Sequence, residues 1–284
     1  MKVWLDGQLV DKADATLSVF DHGTLYGDGV FEGIRVYGGK IFQCQAHVDR
    51  LFASASKIRL AIPYTKEQIV SAMEQTLAAN GVTDGCYIRL VVTRGSGTLG
   101  LSPNRCPRGS VFVIADQIEL YPREMYEHGM PVIIAKTRRT SATMLDPSVK
   151  SLNYLNNIMA KIEAIDAGVG EAIMLNERGE VSEATGDNIF IVKDGTVLTP
   201  PVSAGILQGV TRRVVMELCA ANGIPCREQA MTTDDLHAAD ECFLTGTAAE
   251  VIPVTKIDNR PIAAGTVGPI SRHLIAAFHA FIRQ

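Results

Sequence analysis

At 284 residues, with 46% apolar and 20% charged residues, the chain can bury a sizeable core and has the make-up of a globular enzyme or binding protein of one or two domains. A net charge of −4 and a pI near 5.9 imply no extended basic face, which argues against nucleic acid or an anionic membrane as a partner. No apolar run approaches a membrane span, and the start MKVWLDGQLVDKAD lacks the basic and apolar regions of a signal peptide. Six cysteines, at 44, 86, 106, 219, 226 and 242, show no paired spacing and fit buried thiols in a reducing compartment, so a cytoplasmic location is expected.

The N-terminal part reads as strand-rich. Val3–Leu5 and Leu9–Val10 flank the turn signal Asp6-Gly7, and Gly29–Tyr37 and Ile41–Cys44 flank Gly38-Gly39-Lys40, giving two hairpins. A helix is expected from His47 to Ile58. A second opens at Thr65, where Gln68 completes a capping box, and closes at Asn80-Gly81. Strands over Cys86–Thr93 and Ser110–Asp116 follow, separated by a loop rich in Gly and Pro. The polar segment 118–129, with Pro122, reads as a linker between a small N-terminal domain (1–117) and a larger domain (130–284). In the larger part, Pro131–Ala135 and Glu241–Thr245 read as strands, a helix starts near Gly209 and stops at Asn222-Gly223, and Pro269–Phe281 is a closing helix.

Between them lies the stretch that the chain is organised around, Lys150–Val192. Leu152, Leu155, Ile158, Met159, Ile162 and Ile165 recur at helical spacing, with Gly168 as the stop. After the turn Glu177-Arg178-Gly179, an apolar run from Val181 to Val192 carries Glu183. A lysine at the mouth of a helix and a carboxylate on a following strand are two poles that pyridoxal phosphate chemistry needs. The lysine must spend time as a neutral amine to hold an aldehyde as a Schiff base, and the positive end of a helix favours that. The carboxylate keeps the pyridine nitrogen protonated, so that the ring withdraws electrons.

Gly95-Ser96-Gly97-Thr98-Leu99-Gly100 matches a dinucleotide-binding fingerprint behind a good strand, but Pro103 and Pro107 exclude the helix that must open at its last glycine. An NAD-linked oxidoreductase is therefore a remote second class. The six histidines have no ligand spacing, so no metal is expected. Gly205–Arg212 leads into a helix whose Val210 and Thr211 amides would be unpaired donors, with the Thr211 hydroxyl beside them. Thr245-Gly246-Thr247-Ala248 leaves a strand end as a turn that can present amides to an anion. Arg50 suits either a forked phosphate contact or a surface salt bridge. Arg89, within an apolar strand, needs an acidic partner or an anionic ligand.

Taken in order, YGDGVFEGIRVY (Tyr26–Tyr37), HVDRL with SASKI (His47–Ile58), YIRLVVTRGSGTLGLSP (Tyr87–Pro103), KSLNYL (Lys150–Leu155), EATGDNIF (Glu183–Phe190), GILQGVTR (Gly205–Arg212) and FLTGTAAE (Phe243–Glu250) resemble the class IV aminotransferases. These are fold-type IV pyridoxal phosphate enzymes, and the branched-chain amino acid aminotransferases are the most similar among them. The resemblance implies an α/β (α+β) fold, with a small N-terminal and a larger C-terminal α/β domain and the cofactor in the cleft between them. It implies that Lys150 is the Schiff-base lysine and moves the Cα proton, that Glu183 pairs with the pyridine nitrogen, and that Tyr154 contacts the phenolic oxygen. Arg50, Gly209, Val210, Thr211 and Thr247 would hold the phosphate end, and Leu207 would pack on the ring. Thr247 and Ala248 would bind the substrate carboxylate. Tyr26, Phe31, Gly33, Tyr87 and Arg89 would shape the side-chain pocket, with Arg89 meeting the γ-carboxylate of glutamate. Leu101 would reach a neighbouring subunit, making a homodimer the minimum assembly, and the ligands would be small amino acids and 2-oxo acids. KSLN after the lysine also resembles the D-amino acid aminotransferase and aminodeoxychorismate lyase branches. The family's linker tyrosine could be Tyr121, and Trp4, the only tryptophan, supplies no indole to the pocket.

Overall fold

The computed structural model describes residues 1–82, 84–118 and 120–283. The chain divides into two compact units: Met1–Ile118 with Val149–Asn153, and Glu119–Ser148 with Tyr154–Gln284.

The first unit runs β1 (Lys2–Leu5), β2 (Gln8–Asp11), α1 (His22–Tyr26), β3 (Gly29–Tyr37), β4 (Lys40–Ile41), α2 (Cys44–Lys57), α3 (Lys66–Asn80), β5 (Cys86–Thr93) and β6 (Ser110–Gln117). Among the described residues its strands form one antiparallel sheet in the order β2-β1-β6-β5-β3-β4. Alternation along the pleat sorts the side chains. Val30, Ile34 and Val36 of β3 and Ile88, Leu90 and Val92 of β5 join Val48, Leu51 and Ala55 of α2 and Ile69, Met73 and Leu77 of α3 in one core. The alternate residues Phe31, Gly33, Tyr87 and Arg89 fall on the opposite face of the sheet.

The capping box at Thr65 and Gln68 forms as expected, and Gly81 ends α3 at φ +63°. Helix α2 starts three residues before the expected His47, at Cys44, where Gln43 in a left-handed conformation forms the N-cap without a side-chain capping bond. A cap of that kind leaves no signature in the sequence, and it shortens the second hairpin to Lys40–Ile41. The segment 149–153 extends beside β3: Phe31 N–H donates to Lys150 C=O at 3.0 Å, and Leu152 N–H donates to Gly29 C=O at 2.9 Å. A Cβ on Gly29 would stand 2.6 Å from both Leu152 Cδ1 and Val92 O, so glycine is required where the segment crosses the strand.

The second unit runs α4 (Arg123–His128), β7 (Met130–Ile134), α5 (Leu155–Asp166), β8 (Glu171–Leu175), β9 (Val181–Ala184), β10 (Asn188–Lys193), β11 (Thr196–Thr199), α6 (Val210–Ala221), β12 (Cys226–Glu228), α7 (Thr233–His237), β13 (Glu241–Gly246), β14 (Glu250–Ile257), β15 (Arg260–Pro261) and α8 (Pro269–Phe281). Its strands form a mixed sheet in the order β12-β11-β10-β13-β14-β7-β8-β9, with β15 on β14. The β11–β12, β14–β7 and β7–β8 pairs are parallel.

Three expectations are corrected here. The run Val181–Val192 is two strands, split at Thr185–Asp187, where Ala184 N–H turns back onto Asp187 C=O at 2.8 Å. The segment read as a linker contains α4. The apolar stripe after Lys150 belongs to a helix that starts at Leu155, and within this chain it does not face the core. Leu155, Ile158, Met159, Ile162 and Ile165 are 41 to 69% exposed, while Asn157, Ala160 and Ala164 are buried. Lys150 therefore lies five residues ahead of α5, in the extended segment beside β3 and not in the first turn of the helix.

Candidate active site

The first unit gathers Lys150, Phe31, Gly33, Tyr87, Arg89, Arg50 and Tyr26. Lys150 is fixed through its backbone: its N–H donates to Ser54 Oγ at 3.2 Å and its C=O is taken by β3. Its ammonium lies 4.5 Å from the centre of the Phe31 ring. The Arg89 guanidinium lies 4.5 Å from the same ring and 5.6 Å from the ring of Tyr87. The acidic partner that Arg89 was expected to need is absent among the described residues; two aromatic faces stand in its place. Tyr87 leans across Gly33, where a Cβ would come within 1.7 Å of the phenolic oxygen. Only a glycine lets the tyrosine lie there.

Arg50 is neither exposed nor a surface pair. It grips Glu32 with two bonds, Nε to Oε1 at 2.8 Å and Nη2 to Oε2 at 2.7 Å, and His47 Nδ1 meets Oε2 at 2.8 Å. Tyr26 Oη accepts the amide of Gly100 at 3.0 Å, and His22 Nε2 lies 3.0 Å from Thr98 O, so α1 anchors the glycine-rich loop. No α-helix opens at Gly100, in line with the prolines beyond it. Leu101 on that loop is 82% exposed.

The second unit gathers Glu183, Tyr154, Leu207, Gly209, Val210, Thr211, Thr247 and Ala248. Glu183, on β9, is buried and accepts bonds from Arg139 Nε at 2.9 Å, from Asn188 Nδ2 at 3.1 Å and from the Leu207 amide at 2.8 Å. Arg139 also reaches Asn157 Oδ1 at 3.4 Å, and Asn157 donates to Thr185 C=O at 2.7 Å. This second ring was missed. Asn188 stands inside the EATGDNIF motif, while Arg139 is one of two adjacent arginines after β7 with no periodic pattern around it.

Gly209 caps α6 without a side-chain bond, and a Cβ there would come within 2.0 Å of Asn188 Oδ1. The first-turn amides of α6 are thus left for another acceptor. The Thr211 hydroxyl is buried with no hydrogen-bond partner among the described residues, and so is that of Thr245, at the end of β13 ahead of Thr247 and Ala248. A buried hydroxyl without a partner beside an open helix N-terminus suits a phosphate oxygen, so these residues fit the group. Tyr154 is the N-cap of α5. Tyr121, on the segment read as a linker, has its hydroxyl buried against Glu171 Oε2 at 3.2 Å and Asp187 Oδ2 at 3.5 Å, and burial and both carboxylates push its pKa up. Among the described residues no group of three or more His, Cys, Asp or Glu could hold a metal, and no helix is long and apolar enough to cross a membrane.

Residues 29–257 match the amino-transferase class IV family. The chain belongs to that family, whose chemistry runs on pyridoxal phosphate. Within it the chain is most like the branched-chain aminotransferases. A Methanocaldococcus jannaschii protein provisionally named a branched-chain-amino-acid aminotransferase is 50% identical over 278 residues, 98% of this chain and 95% of that one. The crystal structure of the Escherichia coli branched-chain amino acid aminotransferase superposes with a TM-score of 0.96 at 31% identity, covering 99% of this chain and 94% of that one. The branched-chain aminotransferase of Thermoproteus uzoniensis, crystallised with norvaline, has a TM-score of 0.93 at 39% identity, covering 99% and 94%. A D-alanine aminotransferase of Listeria monocytogenes is 39% identical over 277 residues, 96% of this chain and 93% of that one.

Proposed function

We propose that the protein moves the amino group of L-leucine, L-isoleucine or L-valine to 2-oxoglutarate in a ping-pong cycle, as a cytoplasmic homodimer or larger homo-oligomer. The observation that carries the substrate pair is Arg89, a cation on an aromatic surface with no carboxylate beside it among the described residues. Phe31 and Tyr87 accept an apolar side chain. When glutamate or 2-oxoglutarate enters, its γ-carboxylate supplies the missing counter-charge. One pocket serves both half reactions.

When bound, pyridoxal phosphate supplies an electron sink for the pair left at Cα. The remaining work falls to the chain. Lys150 holds the aldehyde end and carries the proton to and from Cα. Glu183, its carboxylate steadied by Arg139, Asn188 and the Leu207 amide, keeps a proton on the pyridine nitrogen. The Val210 and Thr211 amides, the Thr211 hydroxyl, Thr247 and Arg50 bind the phosphate, Gly209 leaves the helix end open, and Leu207 covers the ring. Tyr154 meets the phenolic oxygen, the Thr247-Ala248 turn binds the α-carboxylate, and Tyr26 and Gly33 complete the pocket. The proposed assembly is supported by the uncovered apolar face of α5 and by Leu101, which stands out from its loop.

A second reading, transfer from D-alanine, is favoured by the 39% identity to a D-alanine aminotransferase. Absorption spectra of the purified protein separate the two. L-leucine is expected to remove the visible cofactor band and 2-oxoglutarate to restore it. A band that ignores L-leucine and falls with D-alanine would move the protein to the D-specific branch.

A further inference from the structure

Glu32 is a carboxylate in the hydrophobic core of the first unit. It lies on the face of β3 that carries Val30 and Ile34, beneath α2, and is fully buried. Burial pushes its pKa up, yet the charges and bonds of Arg50 and His47 outweigh that and hold it at about 2. A buried ion pair of this kind is weak support for stability, because apolar residues of the same volume usually serve a core as well or better. Its geometry points to another task. Arg50 meets Glu32 through Nε and Nη2 together, which fixes the plane of the guanidinium. His47, one helical turn earlier on α2, takes the same Oε2 and stops the carboxylate from swinging. The other His47 nitrogen, Nε2, is buried without a partner among the described residues. The ring is therefore held by the Glu32 contact alone.

We propose that Glu32 and His47 are positioning residues for the cofactor phosphate, acting through Arg50, whose guanidinium they hold in one orientation. The inference rests on the reading of Arg50 as a phosphate ligand. It has a distinctive sign. Glu32 cancels the charge of Arg50, so as a mere charge it opposes phosphate binding, and its removal would tighten the complex. As an orienting group it favours binding, and its removal loosens the complex, because a forked contact depends on direction.

The test compares pyridoxal phosphate with pyridoxal, which lacks the phosphate, in titrations of the full chain stripped of cofactor. Wild type is expected to prefer the phosphorylated form; if it shows no preference, the reading of the site itself fails. Glu32→Gln is expected to weaken pyridoxal phosphate by about tenfold and to leave pyridoxal nearly unchanged. His47→Ala should do the same, while His47→Asn, which keeps a donor for Glu32, should recover most of the loss. In an Arg50→Ala background, Glu32→Gln should have no further effect on the phosphate preference. Equal losses for both ligands would reduce the array to a structural role, and tighter binding of pyridoxal phosphate would reduce it to bulk charge. Either result overturns the proposal. Should Glu32→Gln fail to fold, the His47 pair decides alone.

Discussion

Arg139 donates its Nε–H to Oε1 of Glu183 at 2.9 Å, and the two side chains are only 10% and 7% exposed. A guanidinium beside a carboxylate supports its charged, accepting form, which is the form the proposed contact with a pyridine nitrogen would need. Glu183→Gln is expected to retain the cofactor but to slow removal of the Cα proton on the order of 100-fold. Exchange of the leucine α-hydrogen in deuterated water measures that step directly. Wild-type exchange would remove Glu183 from the mechanism.

Removing the other partner should act on stability first. Arg139→Leu leaves a buried carboxylate without its counter-ion, which costs about 3–5 kcal/mol. A urea titration of the cofactor-free protein reads the loss. Glu183→Gln together with Arg139→Leu should recover part of it, since the uncompensated charge is then gone.

Much of this site was legible because its residues sit at element boundaries that the sequence marks. Gly209 before α6 and the capping box of α3 are local signals that lie where the sequence placed them, and the turn expected from Thr245 begins at Thr247, because β13 runs on through Gly246. The rest depends on partners distant in sequence. Nothing near Arg139 announces that its side chain meets a glutamate 44 positions later, and nothing near Arg50 announces Glu32, 18 positions before it. Strand β14 was not read because Pro253 breaks its pattern, yet it lies between β13 and β7. The stripe after Lys150 marks a helix, and α5 is one, but periodicity reports only that one side is apolar and not what covers it: Leu155, Ile158, Met159, Ile162 and Ile165 are exposed within this chain.

Lys150→Ala is expected to abolish transamination, and borohydride treatment should no longer fix cofactor to the chain. Mass spectrometry of the treated protein shows whether the adduct forms. Full turnover in this variant would end the assignment.

Arg89→Ala should separate the two substrates. Leucine needs only the aromatic walls, whereas glutamate loses a charged partner, so kcat/KM for glutamate should fall about tenfold further than that for leucine. Equal losses would mean that Arg89 supports the sheet and not the γ-carboxylate.

The buried carboxylate Glu32 also makes the stability of the protein depend on pH. Its pKa falls from 4.5 to about 2 on folding, so its contribution is present above pH 4.5 and disappears as the pH drops towards 2. The unfolded chain binds the proton first, and acid therefore favours unfolding across that window. A shift of this size corresponds to about 3 kcal/mol. Thermal melts of wild type and Glu32→Gln between about pH 2 and pH 6 test the point. The variant should be less stable near neutrality and should lose less stability on acidification, so the two curves converge at low pH. Parallel curves would show that Glu32 already has its low pKa in the unfolded chain, or that its charge is not what the Arg50 and His47 contacts hold.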